Sequence, residues 1–578
     1  MTDPNAFEVS GTNSDALFTL KLFRGERMAL LGMNWKKDQP DPDFAGFAIE
    51  YQEPGGVKFY PVNNRLSFLQ NDGSVNPNTL SSRLSPIQKF RWIHFPYHPD
   101  LNGLYTYRVT PVFMDATGHL SYGDFQQAQI ALAGETYPGK LNIAFTRGFI
   151  SSQAFCDRFQ AGDQAHPLLP ATGTNGLNFV SQNAQETEAL AWMGFEAREI
   201  IMKLLDDAYN DPQPEVRVTA YDLDLPDLVA ALVKLARKIK DKLQIIIDDS
   251  GDHGDADSPE TQAAKELADA GAKVQTQHVG NLQHNKTIAV LGRNVNSAIG
   301  GSTNYSWRGF FVQNNNAVAV HGAAQVQHFF DDFNNLWANK NDKSGFAETP
   351  SAEWVDLNFN GPKAKLTFSP HGLNKAKVSN KCLDQIAKDI NGTQSSLLFS
   401  LAFLYQTKGV IKDAIIAVTN KPDHFVYGIS DKKVGGLDIK APDGNEPVAF
   451  PTALSEAPEP FKSEAAGGGG IHMHHKFVVI DFDQPSARVY TGSYNFSVAA
   501  DEDNGENLWC FDDRKIAVAY MIQAVAMFDH YEWRDVHAKA KDVGNKLYLK
   551  TPPAAGQAAW YDEDFKDPQK IKDRELFS

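Results

Sequence analysis

One short pattern occurs twice in this chain, and it limits the fold more than any other feature. His284-Asn-Lys286 is followed by Gly301-Ser302-Thr303-Asn304, and His474-His-Lys476 by Gly492-Ser493-Tyr494-Asn495, with 190 residues from the first histidine to the second. That interval is too long for a solenoid period and fits two duplicated α/β halves. Phe477-Val-Val-Ile480 has high β-propensity and reads as a buried strand directly after the second pair. Residues two apart on a strand share a face, so His474 and Lys476 project together, a neutral imidazole beside a fixed ammonium. Such a pair suits an anion that has to be held and attacked, as a phosphate is.

The surrounding sequence supports two halves of alternating strands and helices. In the first, strands are expected at 141–145, 216–220, 243–247 and 274–279, and helices at 186–208, from Pro226 onward and at 261–270, where Gly271 stops the last. In the second, helix 382–390, strand 395–399, helix 409–418 and strand 424–429 lead back to the His-x-Lys pair. Residues 340–375 read as a linker. The segment 431–470, with five prolines and a run of four glycines, reads as a long insert that could cover the cleft.

Residues 1–135 differ: Phe18, Leu20 and Leu22 alternate with Thr19 and Lys21, and Leu104–Phe113 is strand-like between Gly- and Pro-rich turns. The run Leu101-Asn-Gly-Leu-Tyr105-Thr-Tyr107 resembles the tyrosine-corner strand of immunoglobulin and fibronectin III sandwiches. The division expected is an all-β sandwich over 1–135, an α/β half over 136–342, and a second half over 343–578 that carries the insert and a C-terminal tail.

Composition narrows the function classes. The net charge of −16 makes a general nucleic-acid or anionic-membrane footprint unfavourable, so an anionic substrate must be drawn by a local positive site. Cys156, Cys382 and Cys510 are odd in number and far apart, which argues against a disulfide framework and a cysteine metal site. No apolar run is long enough to span a bilayer and no leader pattern opens the chain, so a cytoplasmic location, or export without a cleavable signal, is expected.

The second half resembles the HKD motif of the phospholipase D superfamily, on His474, Lys476, Asp481, Gly492, Ser493 and Asn495. In the first half His284, Lys286, Gly301, Ser302 and Asn304 fit, while Leu291 stands where the motif has Asp. The resemblance covers roughly residues 140–540. It implies one bilobal catalytic unit of two α/β halves and a metal-independent phosphodiesterase without cofactors, in which one histidine attacks phosphorus and the other protonates the leaving alcohol. Lys286 and Lys476, with Ser302, Asn304, Ser493 and Asn495, would hold the phosphate oxygens, and Asp481 would support the site. The resemblance also implies a residue that orients each imidazole. Glu506 lies thirteen residues after Ser493 and Asn315 thirteen after Ser302. A carboxylate favours imidazolium and an amide does not, so this spacing assigns His474 as general acid and later base, and His284 as nucleophile.

Other features have plainer readings. His472, His474 and His475 are close enough for a metal, yet alternation sends His475 to the opposite face. Asp248–Asp257 is acid-rich but lacks EF-hand spacing and reads as a solvated connection. Trp307, Arg308, Phe310 and Phe311 either line the pocket or fill the core. The expected substrate is a phospholipid headgroup diester. The alternatives are DNA or RNA cleavage, since Gly-Ser-Tyr-Asn-Phe-Ser resembles the nuclease branch of the family, and an inactive binding homologue. A monomer is expected, with the sandwich contacting a partner or surface.

Overall fold

A computed structural model describes the chain except residues 1, 2, 4, 77, most of 149–182, 312, 373–380, 405–408, 431–447, 450–472, 543–546 and 555, and the side chains of 531–546. The insert at 431–470, apart from Val448–Ala449, therefore lies outside the described residues, as do His472 and Cys156. Two compact units divide the chain, one made of 1–134 with 518–578, the other of 135–517.

Besides a two-stranded ribbon of Asn63–Asn64 and Leu80–Ser81, the described residues of the first unit form two larger antiparallel sheets. One orders Glu8–Ser10, Phe18–Arg24, Ala29–Trp35 and Arg91–His94; the other orders Leu120–Tyr122, Leu104–Met114, Phe44–Gln52 and Tyr60–Pro61, with Gln126–Ala131 also on Leu104–Met114. Alternation explains the packing: Phe18, Leu20 and Leu22 enter a core with Phe47, Ile49 and Tyr107, while Thr19 faces solvent. The Tyr105 hydroxyl donates to the carbonyl of His98.

The C-terminal tail, assigned by sequence to the second α/β half, belongs instead to this unit. Trp560 Nε1 donates to the Phe44 carbonyl at 3.0 Å, Trp560 stacks on Phe90, and the Arg91 guanidinium bonds Asp573 at 2.6 Å. Apolar residues near the terminus complete a β core, and their spacing in sequence carries no sign of that destination.

In the second unit, the helices and strands read from periodicity are found close to their expected positions, among them Ala184–Asn210, Pro226–Ile239 and Pro259–Ala270, the last closed by left-handed Gly271. Two sheets result. The first runs Leu141–Phe145, Asn316–His321, Asn296–Gly301, Thr287–Leu291, Glu215–Ala220, Leu243–Ile247, Lys273–Thr276. The second runs Val355–Asp356, Ala364–Ser369, Glu506–Phe511, Arg488–Gly492, Lys476–Ile480, Ser396–Leu401, Phe425–Ile429, Val448–Ala449. From Leu141–Phe145 and Ala364–Ser369 onward, the two orders and strand directions coincide, antiparallel through four pairings and parallel through the last two.

The expected linker at 340–375 is partly structure. Ala364–Ser369 pairs with Glu506–Phe511 in the second sheet. Its polar residues concealed a strand whose Leu366 and Phe368 are buried.

Candidate active site

The His284/Lys286 pair lies just before strand Thr287–Leu291 and the His474/Lys476 pair at the start of strand Lys476–Ile480, and backbone bonds tie each approach to the opposite half. Gly505 N–H donates to the Leu282 carbonyl at 2.9 Å, and His474 N–H donates to the Asn314 carbonyl at 3.3 Å. The histidine rings meet edge to face, with centroids 6.1 Å apart. His284, Lys286, His474, Lys476, Ser302, Ser493, Asn304, Asn315 and Glu506 are all buried there, and Asn495 is half-buried.

Local geometry explains the glycine of each Gly-Ser-x-Asn. Gly301 and Gly492 have φ of +143° and +141°. A Cβ would lie 2.5 Å from the Asn316 carbonyl oxygen at the first and 2.1 Å from that of Asn507 at the second. Only glycine permits this approach without displacing backbone. The following hydroxyls are then fixed: Asn316 N–H donates to Ser302 Oγ and Asn507 N–H to Ser493 Oγ, both at 3.0 Å.

The partners of the two imidazoles are crossed relative to the sequence expectation. His284 Nδ1 lies 2.7 Å from Glu506 Oε2, and His474 Nδ1 lies 2.9 Å from Asn315 Oδ1. Each ring is oriented by the opposite half, because the strand carrying its partner begins where the other loop passes. The inference that Glu506 favours a charged His474 is therefore corrected: the carboxylate serves His284. In both rings the Nδ1 contact leaves Nε2 as the reactive nitrogen.

Burial dominates the electrostatics. It drives the pKa of His284 well below the ordinary range, helped by Lys286 and Lys476. His474 is lowered by burial and then by Lys476 and Lys286. Burial pushes Glu506 up to about 8, against the pull of Lys286, the Ser493 hydroxyl and Lys476. Lys286 is brought down to about 7 by burial, and Lys476 is lowered by burial and by Lys286. The Lys286 ammonium bonds the His284 carbonyl, and that of Lys476 bonds the His474 carbonyl at 2.7 Å. Among the described residues neither lysine forms an ion pair. The carbonyl oxygens of Asn304 and Asn495 are likewise without a hydrogen-bond partner. Two buried lysines with no directly paired carboxylate among the described residues, felt only at a distance by Glu506 and Asp222, flank two imidazole Nε2 atoms and make a site suited to a phosphate.

Asp481 supports from outside the centre. Its carboxylate accepts from the N–H groups of Gln394, Ser395 and Ser396 at 2.9, 2.8 and 3.3 Å. The first half, with Leu291 at that place, achieves the equivalent tie from the other strand. Asp211 accepts from Gln213, Arg293, Asn294 and Val295 at 2.8, 3.1, 2.7 and 3.0 Å. Burial opposes its ionisation, but these four donors outweigh it and hold the carboxyl below its usual range. No motif marks Asp211; the only sequence signal was the vacancy at Leu291.

His475 points away from the reacting pair, packing its ring on Phe145 and Phe477. Trp307, Phe310 and Phe311 are buried, with Trp307 against Phe311. The acid-rich loop is a connection organised by Asp248, which accepts from Gln283 and Ser250 N–H groups at 2.6 and 3.0 Å and bonds His253 Nδ1 at 2.9 Å. Two groups among the described residues, Asp222/His253/Glu260 and His371/Cys382/Asp501, place donors close enough for an ion, and neither contains a residue of the histidine pair.

The family pattern described as cardiolipin synthase, PLD-like domain, matches residues 204–337, which contain the first His-x-Lys pair. A phospholipase D of Rickettsia prowazekii (strain Madrid E) is 44% identical over 48 residues, 8% of this chain and 22% of its own. Residues 204–337 thus match a phospholipase D-like domain. The mitochondrial cardiolipin hydrolase of Xenopus tropicalis is 39% identical over 61 residues, 11% of this chain and 27% of its own. The chain thus spans only about a quarter of the length of the curated relatives it matches. Among solved structures, the phosphatidylserine synthase of Haemophilus influenzae Rd KW20 aligns with 61% of this chain and 92% of its own at 12% identity and a TM-score of 0.40. Among the described residues, no helix is long and apolar enough to cross a membrane.

Proposed function

We propose that this chain is a metal-independent phosphodiesterase that works through a phosphohistidine on His284, with a phospholipid headgroup diester as substrate. The observation that carries the reading is the edge-to-face pair of buried imidazoles, each bonded through Nδ1 to a residue of the other half. His284 Nε2 attacks phosphorus as the P–O bond to the leaving alcohol breaks, and His474 Nε2 gives that oxygen its proton. Water then loses a proton to His474 and attacks phosphorus, and the N–P bond breaks to free His284. Glu506 stabilises the positive charge that develops on His284 as the N–P bond forms. Asn315 orients His474 without stabilising its cation, so the negative charge of the bound phosphodiester is what favours the imidazolium, and it gives up its proton readily. Lys286, Lys476, Ser302, Asn304, Ser493 and Asn495 hold the phosphate oxygens.

The two coincident strand orders support descent of the halves from one duplicated unit. The N-terminal sheets, with the Tyr105 corner contact, support an immunoglobulin or fibronectin III-like sandwich that contacts a partner or surface. The catalytic unit needs no second copy, so a cytoplasmic monomer is the simplest arrangement. Phospholipid is favoured because the relatives found are named for phospholipase D and cardiolipin hydrolysis.

The test compares headgroup release from phospholipid vesicles with cleavage of single-stranded DNA, in EDTA, alongside bis(p-nitrophenyl) phosphate. Headgroup release that survives EDTA, with phosphate trapped on His284, is expected. Label on His474 instead overturns the roles, and DNA cleavage without headgroup release moves the substrate to nucleic acid. Absence of both turnover and label leaves the chain a binding homologue.

A further inference from the structure

Beside each histidine contact lies a second contact between halves, one residue further along both strands. Asn285, between His284 and Lys286, accepts on Oδ1 from Asn507 Nδ2 at 2.7 Å, and Asn507 directly follows Glu506. Asn507 is fully engaged. Its Nδ2 also reaches Ser493 Oγ at 3.1 Å and the Gly301 carbonyl at 3.3 Å, and its Oδ1 accepts from Trp509 Nε1 at 3.0 Å. One amide thereby ties the first His-x-Lys segment to both Gly-Ser-x-Asn segments.

On the other side of the centre the matching contact is slack: Asn316 Nδ2 stands 3.5 Å from His475 Nδ1, and Asn316 Oδ1 has no partner. The Asn285 amide has a third participant. Its Nδ2 reaches Asp332 Oδ2 at 3.4 Å, from helix Ala323–Ala338. Asp332 is 1% exposed, and its other oxygen is unpartnered.

We propose that Asn285, Asn507 and Asp332 form a positioning clamp that sets the register of Glu506 against His284. Asp332 selects the amide orientation of Asn285, because only with Nδ2 turned to the acid can Oδ1 receive Asn507. Burial drives Asp332 toward its neutral form, whose carbonyl oxygen still accepts. Asn507 then fixes the backbone adjoining Glu506. The clamp touches no substrate atom, so it acts on the rate of the chemical step and not on substrate affinity. A displacement of about 1 Å at a reacting group costs on the order of 10²-fold in rate. This rests on the reading of His284 as the nucleophile, and the test separates the two.

In the full chain, Asn507→Leu and Asn285→Leu are expected to lower kcat on bis(p-nitrophenyl) phosphate by roughly 10²-fold with KM within about twofold. The double variant is expected to be no worse than the poorer single one, because both break one contact. Asp332→Leu is expected to lose about tenfold, and Asp332→Asn to recover most of that, since an amide oxygen also accepts from Asn285. The independent readout is the His284 Nδ1 proton, followed by NMR in chain labelled at histidine ring nitrogens: it should shift or vanish in folded Asn507→Leu and stay in place in Asn316→Leu. An unmoved proton in folded Asn507→Leu overturns the clamp, as does unchanged kcat or a rise in KM alone. Failure of Asp332→Asn to improve on Asp332→Leu removes Asp332 from it. If the wild-type chain turns over no phosphodiester, the proposed activity fails while the NMR result still decides the clamp.

Discussion

The two halves of the catalytic unit share a strand order and differ in what each contributes, and the differences are complementary. The first half supplies Asn315 to the second half's histidine; the second supplies Glu506 to the first half's. The supporting aspartate is exchanged as well: Asp481 sits at the end of the central strand in one half, and in the other Asp211 sits before the neighbouring strand, opposite Leu291. Neither half holds a complete site. An arrangement of this kind lets two similar imidazoles acquire different chemistry, because each is conditioned by residues free to diverge in the other half.

The sharpest break of that comparison is to remove one histidine at a time. His284→Ala is expected to abolish both label and turnover. His474→Asn is expected to lose general acid and base assistance, worth roughly 10²–10⁴-fold, while still taking label from bis(p-nitrophenyl) phosphate, whose leaving group needs little proton assistance. Trapped phosphoenzyme, resolved by mass spectrometry, checks this; equal loss of label in both variants would mean that the halves do not divide the roles.

Next comes the crossed pairing. Glu506→Gln retains the hydrogen bond to His284 and removes the carboxyl that can become anionic as His284 gains positive charge, so kcat should fall by about 10²–10³-fold, the scale of one preorganised electrostatic contact. Asn315→Asp should instead make His474 a more basic, poorer acid and shift the alkaline limb of kcat to higher pH. The pH profiles of the two variants check the crossing. If Glu506→Gln changes the limb that belongs to His474, the pairing seen here does not govern catalysis.

The lysines separate stability from function. The folded pKa of Lys286 is depressed to about 7 from 10.5 by burial. A depressed value means that its contribution is fully present above pH 10.5 and is lost as pH falls through about 7. Lys286→Met should therefore be inactive, yet melt higher than wild type at pH 6, by a margin that shrinks toward pH 10. Phosphate or tungstate should raise the melting temperature of wild type and leave the variant nearly unchanged. A variant that melts lower at pH 6 would show that the buried charge is compensated.

The sequence exposed what is local. The His-x-Lys pairs, the Gly-Ser-x-Asn turns and the amphipathic helices are each written within a few residues, and they lie where expected. The partners of His284 and His474 were hidden because Glu506 and Asn315 stand at the same spacing from their serines, so spacing alone could not tell a contact within a half from one between halves. Ala364–Ser369 was concealed by Lys365 and Thr367 on a strand only six residues long. The C-terminal tail was concealed for a different reason: Trp560 and Tyr561 help to complete a core most of whose side chains lie in residues 1–134, more than 400 residues earlier.

The exchanged aspartate gives the smallest effect and tests whether the two supports are equivalent. Asp211→Ala strips the acceptor from the Gln213 N–H and from three N–H groups in the turn after Thr287–Leu291. Leaving such donors partly unsatisfied should cost about 2–3 kcal/mol, with little change in KM. Because its folded pKa is lowered, Asp211 contributes stability above the ordinary aspartate value of 3.8 that is lost as pH falls through the folded value. The gap between wild type and Asp211→Ala should accordingly narrow in acid. Adding Leu291→Asp transplants the second half's solution, since Leu291 stands five residues after Lys286 as Asp481 does after Lys476. Chemical denaturation of the single and double variants decides the point. Recovery of about half the loss or more would mean that the strand end and the preceding loop are interchangeable anchors. A further loss would mean that the first half has repacked around Leu291, and that the two halves have diverged in their frame as well as in their chemistry.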